Sequence, residues 1–244
     1  MGKFRLITGD AGQILDRLIE EGTKVDMVFT SPNPPFYSKD EKDPREKEMP
    51  GNIGNEPNFT LYIDNLMQVF EKVRAILKDT GSLWVHAGDY STFKGGSRIQ
   101  VPQRIALTLT DKYKWFLKST LIWFRPEPYE KILTRFKQDY EYIYWFSKTE
   151  DVKIYDNQYL ETSIIEARYI PPPQGVWDSG FPEGLIYIPI KTCTTHGQTV
   201  LDPYSGTGST GAVALKMKRK YIGIDLFPHK TNRTMERLRV IEKP

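Results

Sequence analysis

Two short stretches of the sequence hold residue types that could do chemistry together. The first, "TSPNPPF" at residues 30–36, sets Ser31 and Asn33 among Pro32, Pro34 and Pro35, and ends on Phe36. A serine hydroxyl, an asparagine amide oxygen and a proline carbonyl all accept hydrogen bonds, and proline rings hold the backbone that carries them rigid. The second, "DPYSGTGST" at residues 202–210, sets Gly206 and Gly208 between an apolar run and an amphipathic one. Glycines at such a turn let backbone approach a ligand closely and leave free N–H groups directed at it. The next apolar run, "YIGID", ends in Asp225. It lies about twenty residues on, where an acidic side chain can hold ribose hydroxyls. A phosphate-cradling loop would end in Gly-Lys-Ser/Thr, and none follows here.

Both stretches need a frame that brings them to one place. The chain alternates short β-branched runs with amphipathic segments. "FRLIT" and "VDMVFT" read as strands, separated by the helix "AGQILDRLIEEG", which Gly22 stops. A charged loop with Pro and Gly follows over 38–58, then a long amphipathic helix over 59–81 and the strand "GSLWVHAG". "GGSRIQVPQRIALTLTDKY" gives a turn and a helix, and "WFLKSTLIWF" and "DYEYIYWFSK" are two aromatic strands. Residues 149–180 read as irregular, stiffened by "IPPPQG". The last third reads strand, glycine turn, helix, strand. Such alternation predicts an α/β fold, a mostly parallel sheet covered on both faces. Ligands gather beyond the carboxyl ends of the strands in these sheets, and both motifs directly follow strands.

Composition sets outer limits. A chain of 244 residues can bury one full core, and its net charge of +3 does not by itself argue for nucleic acid. No apolar run is long enough to span a membrane, and "MGKFRLITGD" lacks the apolar centre of a secretory signal. A lone Cys193 suits a reducing cytosol, so a cytoplasmic location is expected. Three scattered histidines, His86, His196 and His229, without cysteines at ligand spacing, predict no metal site.

"DPYSGTGST" resembles the S-adenosylmethionine loop of amino-methyltransferases, Asp-Pro-Phe-x-Gly-Ser/Thr-Gly-Ser/Thr, with Tyr204 in place of the usual Phe. With "TSPNPPF" preceding that loop, the chain resembles the permuted, beta-class DNA amino-methyltransferases of restriction-modification systems. "LITGDAGQILDRL", the segment from "GNEPNFT" to "GSLWV", "VPQRIALTL", "DYEYIYWFSK" and "FPEGLIYIPIKTCT" resemble further blocks of that family. The resemblance implies a Rossmann-like methyltransferase fold with circularly permuted motif order and S-adenosylmethionine as cofactor. Asp10 would meet the adenine, Asp202, Pro203, Tyr204 and the Gly206–Gly208 backbone would line the methionine end, and Asp225 would take the ribose.

The reaction it implies is awkward, because the lone pair of an exocyclic amine is delocalised into the base. Fixed acceptors must hold the amine protons so that the lone pair turns toward the methyl group, which is a matter of positioning. An aromatic ring can stack on the extruded base. N4-cytosine enzymes of the family show Thr-Ser-Pro-Pro-Phe/Tyr directly after the strand, and N6-adenine enzymes show Asp/Asn-Pro-Pro-Phe/Tyr. This chain holds both registers. "DMVF" runs straight into "TSP", which favours Ser31 and Pro32 as acceptors, Asn33 and Pro34 as an insertion, Phe36 as the stacking ring, and cytosine N4 as the target. In the other register Asn33, Pro34 and Phe36 take those roles, for adenine N6. Cytosine C5 chemistry needs an activated thiolate, and "KTCTT" gives Cys193 no such setting.

Charge distribution suggests where double-stranded DNA would lie. Lys112, Lys114, Lys118, Arg125, Lys131, Arg135 and Lys137 gather in one stretch, and Lys94, Arg98 and Arg104 in another around a Gly pair. These are the expected backbone contacts, and the acidic 149–178 segment is expected to pack or dimerise. The expected organisation is one methyltransferase domain over 1–244, with small target-recognition insertions within 94–137 and 149–178. A homodimer and a cognate restriction endonuclease acting on the same site are the further candidate partners. Rival readings are glutamine side-chain methylation, which the basic aromatic segments argue against, and a DNA-binding partner subunit that has lost activity.

Overall fold

In the computed structural model, residues 2–35, 46, 49–91, 96–125, 136, 138–167 and 181–242 are described. They form strands β1 (Phe4–Thr8), β2 (Val25–Thr30), β3 (Leu77–Ala87), β4 (Phe116–Phe124), β5 (Tyr140–Ser147), β6 (Ile164–Glu166), β7 (Thr199–Asp202) and β8 (Lys220–Asp225). The helices are α1 (Ala11–Glu20), α2 (Phe59–Ile76), α3 (Val101–Asp111), α4 (Glu183–Cys193), α5 (Ser209–Lys216) and α6 (Pro228–Glu242). All eight strands join one sheet in the order β1-β8-β7-β2-β3-β5-β4-β6. Pairing is parallel from β1 through β3 and antiparallel on both sides of β5; β6 then runs parallel to β4. The expected mixed, mostly parallel α/β sheet is therefore present.

Alternation along the strands gives the sheet two apolar faces, because successive side chains point to opposite sides. One face carries Leu83, Val85, Tyr144 and Phe146 against Leu15, Phe70 and Ile105 of α1, α2 and α3. The other carries Trp84, Trp123, Ile143 and Trp145 against Ile186, Val213 and Leu238 of α4, α5 and α6. Trp84 and Trp145 stack across the β3–β5 pair with centroids 5.0 Å apart and planes 8° from parallel. Helix starts follow local chemistry. The side chains of Asp10 and Asn58 cap α1 and α2, accepting from the Gln13 and Leu61 amides at 2.9 Å each.

Two differences from the sequence expectation have physical causes. The long helix ends at Ile76, five residues early, because Leu77 turns extended and pairs with Val25. The β2–β3 register then skips to Met27 opposite Ser82, and the bulge closes tightly on Gly81, where a Cβ would lie 2.8 Å from the Asp26 carbonyl. Within the stretch expected to be irregular, Ile164–Glu166 adds an edge strand to β4. Arg219, between α5 and β8, is buried. It donates to the Thr194 carbonyl and hydroxyl at 2.6 and 2.9 Å, tying the α5–β8 turn to the end of α4.

The same edge of the sheet collects the carboxyl ends of β1, β2, β3, β4, β7 and β8 and the start of antiparallel β5. Helix α5 must approach the face of the sheet closely, and Gly211 permits it. A Cβ there would lie 2.5 Å from Cε1 of Tyr221, a ring that is 1 % exposed. Alanine is preferred to glycine in a helix by about 1 kcal/mol, whereas overpacking a rigid core costs about 1–3 kcal/mol. The clash wins. Gly211→Ala is expected to lower the thermal midpoint by several degrees, at about 2–4 °C per kcal/mol for a chain of this size, which calorimetry would read.

Candidate active site

At the carboxyl edge lies a cavity of about 1370 Å³, lined by both motifs. Asp10, Asp202 and Asp225, the loop from Pro203 to Thr207, Ser31 to Pro34, and His86, Glu141 and Phe181 all face it. The topology explains the meeting, since β2 and β7 are neighbours and β8 follows β7. Phe36 and the basic residues Lys94, Lys131, Arg135 and Lys137 lie outside the described residues.

Asp202 joins the two motifs directly. One carboxylate oxygen accepts from the Thr30 hydroxyl at 2.8 Å and from the Tyr204 amide at 3.1 Å. The other accepts from the Thr210 hydroxyl at 2.7 Å. Burial pushes its carboxyl up to about 6, against the pull of those hydrogen bonds. Asp202 thus ties the residue before Ser31 to the start of α5.

Beyond it the glycine turn is open. Gly206 has φ +52° and no atom within 4 Å of where a Cβ would stand, while Gly208, φ +81°, would put a Cβ 2.4 Å from Thr234. The first therefore leaves room for a ligand, and the second seats the turn on α6. Asp225 accepts the Gly206 amide at 2.8 Å on one oxygen and the Phe227 amide at 3.0 Å on the other. Each oxygen keeps a lone-pair position for a further donor such as a ribose hydroxyl. Burial raises this carboxyl, offset in part by the charge of Lys230. Asp10 spends Oδ1 on capping α1, and Oδ2 faces Gly51, where a Cβ would be 3.3 Å away. The residues present fit a nucleoside-bearing cofactor.

A second constellation surrounds Ser31, and it was not singled out from the sequence. The Ser31 hydroxyl meets His86 Nδ1 at 2.8 Å, and His86 Nε2 meets a Glu141 oxygen at 2.6 Å. Arg125 pairs with the other Glu141 oxygen and lies over Trp123, its guanidinium carbon 4.9 Å from the ring centroid. Burial pushes the Glu141 carboxyl up, but the hydrogen bond from His86 and the charge and hydrogen bond of Arg125 outweigh it and leave it below its ordinary value. Phe181 stands edge-on to both His86, at 4.8 Å, and Trp123, at 5.6 Å. The available signal was the alternation Trp84-Val85-His86, which puts a polar residue on an inward face at a strand end.

The sequence profile of the DNA methylase family N6_N4_Mtase matches residues 25–235. The chain belongs to this family. Among similar proteins is the type II methyltransferase M.MwoI of Methanothermobacter wolfeii, 32 % identical over 232 residues that cover 93 % of this chain. The match spans only 32 % of that protein's length. M.Cfr9I of Citrobacter freundii is 27 % identical, with 96 % of this chain and 87 % of its own length covered. In fold, the chain is similar to the cytosine-N4-specific PvuII DNA methyltransferase, with TM-score 0.75, 22 % identity, and 96 % and 88 % of the two chains covered. A DNA modification methylase of Thermus thermophilus solved with S-adenosyl-L-methionine gives TM-score 0.72, 21 % identity and coverage of 98 % and 95 %.

Of the methylase's expected DNA contacts, the structure relocates several. Arg125 is 4 % exposed and held by Glu141, so it belongs to the cavity wall and does not face a phosphate backbone. Lys112, Lys114 and Lys118 sit before or at the start of β4, which enters the sheet opposite Ser147 at the edge away from the cavity. Arg98 lines the cavity, donating to the Asp89 carbonyl at 3.1 Å. Arg104 is exposed on α3, over the Phe59 ring.

The Asp202 carboxyl generates a prediction with a definite sign. Its value of about 6 in the fold exceeds the ordinary aspartate value of about 4, so the folded state holds the proton more tightly. The stability this contributes is complete below about pH 4 and is lost as pH rises through about 6, roughly 3 kcal/mol in all. Urea unfolding of wild type and Asp202→Asn is expected to show that difference draining away between about pH 4 and 7. A pH-independent difference would reject the raised carboxyl.

Proposed function

We propose that the chain methylates the exocyclic N4 of a cytosine flipped out of double-stranded DNA. The methyl donor is S-adenosylmethionine, which supplies an electrophilic methyl group on a sulfonium when bound. Asp225 would hold its ribose hydroxyls, Asp10 would meet its adenine, and the backbone from Pro203 through Tyr204 to Gly206 and Gly208 would line its methionine end. Asp202 keeps that wall in register with the proline motif through Thr30 and Thr210.

One observation carries the choice of cytosine. Ser31 is the first residue past β2, its hydroxyl is oriented by His86, and it faces the cavity. Asn33, two residues on, donates its amide nitrogen to the Asn52 side chain at 3.4 Å. The Ser31 hydroxyl oxygen and the Pro32 carbonyl then accept the two amine protons and turn the nitrogen lone pair toward the methyl group. Phe181 and Trp123 supply apolar edges to a slot for the base, with Phe36 as the expected stacking ring. Arg98, which lines the cavity, and Arg104 on α3 would meet the DNA backbone, with Lys94, Lys131, Arg135 and Lys137 as further contacts.

A second reading has its own observation, since Asn33 and Pro34 also line the cavity. In that register the target is adenine N6. Purified protein incubated with S-adenosylmethionine and unmethylated DNA, then digested to nucleosides, distinguishes them by mass spectrometry. N4-methylcytosine is the expected product; N6-methyladenine would move the acceptor pair to Asn33 and Pro34. Ser31→Ala should cut single-turnover methyl transfer by about 100-fold or more, as loss of a preorganised hydrogen-bonding group does, while cofactor affinity by calorimetry stays within about threefold.

A further inference from the structure

Methyl transfer to an amine leaves a proton to be disposed of, and the cavity wall behind Ser31 is built to take one. The reaction forms the N4–CH3 bond, breaks the sulfonium C–S bond to release a neutral thioether, and leaves a positive charge on N4. That charge is lost when one N–H proton departs. Resting on the cytosine-N4 reading, we propose that Ser31, His86 and Glu141 form a proton relay. Ser31 is the group that touches the substrate amine, and His86 and Glu141 act through it as positioning residues.

The hydrogen-bond directions follow from charge. Glu141 receives Arg125 on one oxygen and His86 Nε2 on the other. An ionised carboxylate can only accept, so Nε2 carries the proton that it donates. In the neutral imidazole Nδ1 is then the acceptor, and the Ser31 hydroxyl must donate to it at 2.8 Å. This arrangement does two things at once. It aims the lone pairs of the Ser31 oxygen away from His86 and toward the cavity, where the amine must present its proton. It also provides the exit: N4 gives its proton to the Ser31 oxygen as the Ser31 proton passes to Nδ1. The imidazolium so formed faces the Glu141 carboxylate, and its extra proton returns to solvent after the product leaves. The logic is that of a serine–histidine–carboxylate triad, with the serine passing a proton and forming no covalent bond.

The three residues come from the ends of three different strands. Ser31 follows β2, His86 lies near the end of β3, and Glu141 lies near the start of β5. His86 is 7 % exposed and wedged between Trp123 and Phe181, which fixes the ring plane. The charged groups facing the imidazole are Glu141 from β5 and, through it, Arg125 just past β4; Ser31, Trp123 and Phe181 are its uncharged neighbours. Burial requires a partner for each ring nitrogen whatever the role of the histidine, so it is the identity of the Nδ1 partner that points to the relay. Here both ring nitrogens are committed, one of them to the residue proposed to hold the amine.

The experiment is single-turnover methyl transfer on DNA across pH 5–9 for wild type, His86→Asn and Glu141→Gln, with cofactor and DNA affinities measured alongside. Wild-type rate should fall on the acid side as His86 gains a proton and can no longer accept from Ser31. His86→Asn should lose that acid limb, and both variants should fall by on the order of 100-fold in rate at neutral pH, with affinities within about threefold. Imidazole NMR on the free protein gives a second readout without turnover. With three histidines in the chain, single substitutions assign the His86 signals. They should report a neutral ring protonated on Nε2, and Glu141→Gln should disturb that tautomer. Variants with wild-type rate and an unchanged acid limb would overturn the relay, and so would a ring protonated on Nδ1. A rate loss matched by lost cofactor or DNA binding would also overturn it, as a purely structural role. If wild type makes N4-methylcytosine and the relay tests fail, the substrate reading stands alone; an N6-methyladenine product instead removes the substrate reading itself.

Discussion

The hydrogen bonds of Asp202 hold the candidate site together. Its two oxygens reach the residue before Ser31 in one direction and the first turn of α5 in the other. Two motifs separated by about 170 residues thus share one buried carboxylate, and neither the acceptors nor the glycine turn can move without straining it. Burying that group is costly, as its upward-shifted carboxyl records, and the neighbouring hydroxyls offset only part of the cost. A leucine there would pack more cheaply but would leave Thr30 and Thr210 without partners.

Around this strut the cavity divides its work by charge. At one end Asp10 and Asp225, with backbone amides drawn toward the acids, suit a sugar and a cationic donor. At the other, the charges of Glu141 and Arg125 offset each other beside His86, and aromatic rings close around them. An uncharged base can enter such a wall without an unpaired charge being left against it. Both ends open on the same sheet edge, so strand order alone sets the two ends of the cavity side by side.

That sheet edge also explains why nearby charges in the sequence do different jobs. Lys118 and Arg125 are seven residues apart on and just beyond one strand, yet a strand rises about 3.3 Å per residue and carries them to opposite edges of the sheet. Arg125 arrives beside Glu141 and is sealed in by Trp123, whereas Lys118 ends on the Glu150 carbonyl at 3.0 Å. Counting cations along the chain could not separate them.

What the sequence determined by itself is what local chemistry encodes. Apolar alternation marked β2, β7 and β8, the prolines marked a rigid turn past β2, and the glycine spacing marked the turn into α5. Those signals sufficed for the α/β class, and the two motifs in that order carried the resemblance to the family. They also located Asp202, Gly206 and Asp225, because a strand-to-helix turn is built from residues adjacent in the chain. Tertiary structure decided what depends on register between distant strands. The antiparallel pairing that sets His86 opposite Ile143, and Trp123 opposite Glu141, puts the imidazole within reach of that carboxylate. A shift of one residue would turn Glu141 to the other face, and nothing within either strand fixes that choice. Ser31 was therefore legible as a candidate acceptor, but the histidine and glutamate behind it became visible only once the sheet was assembled.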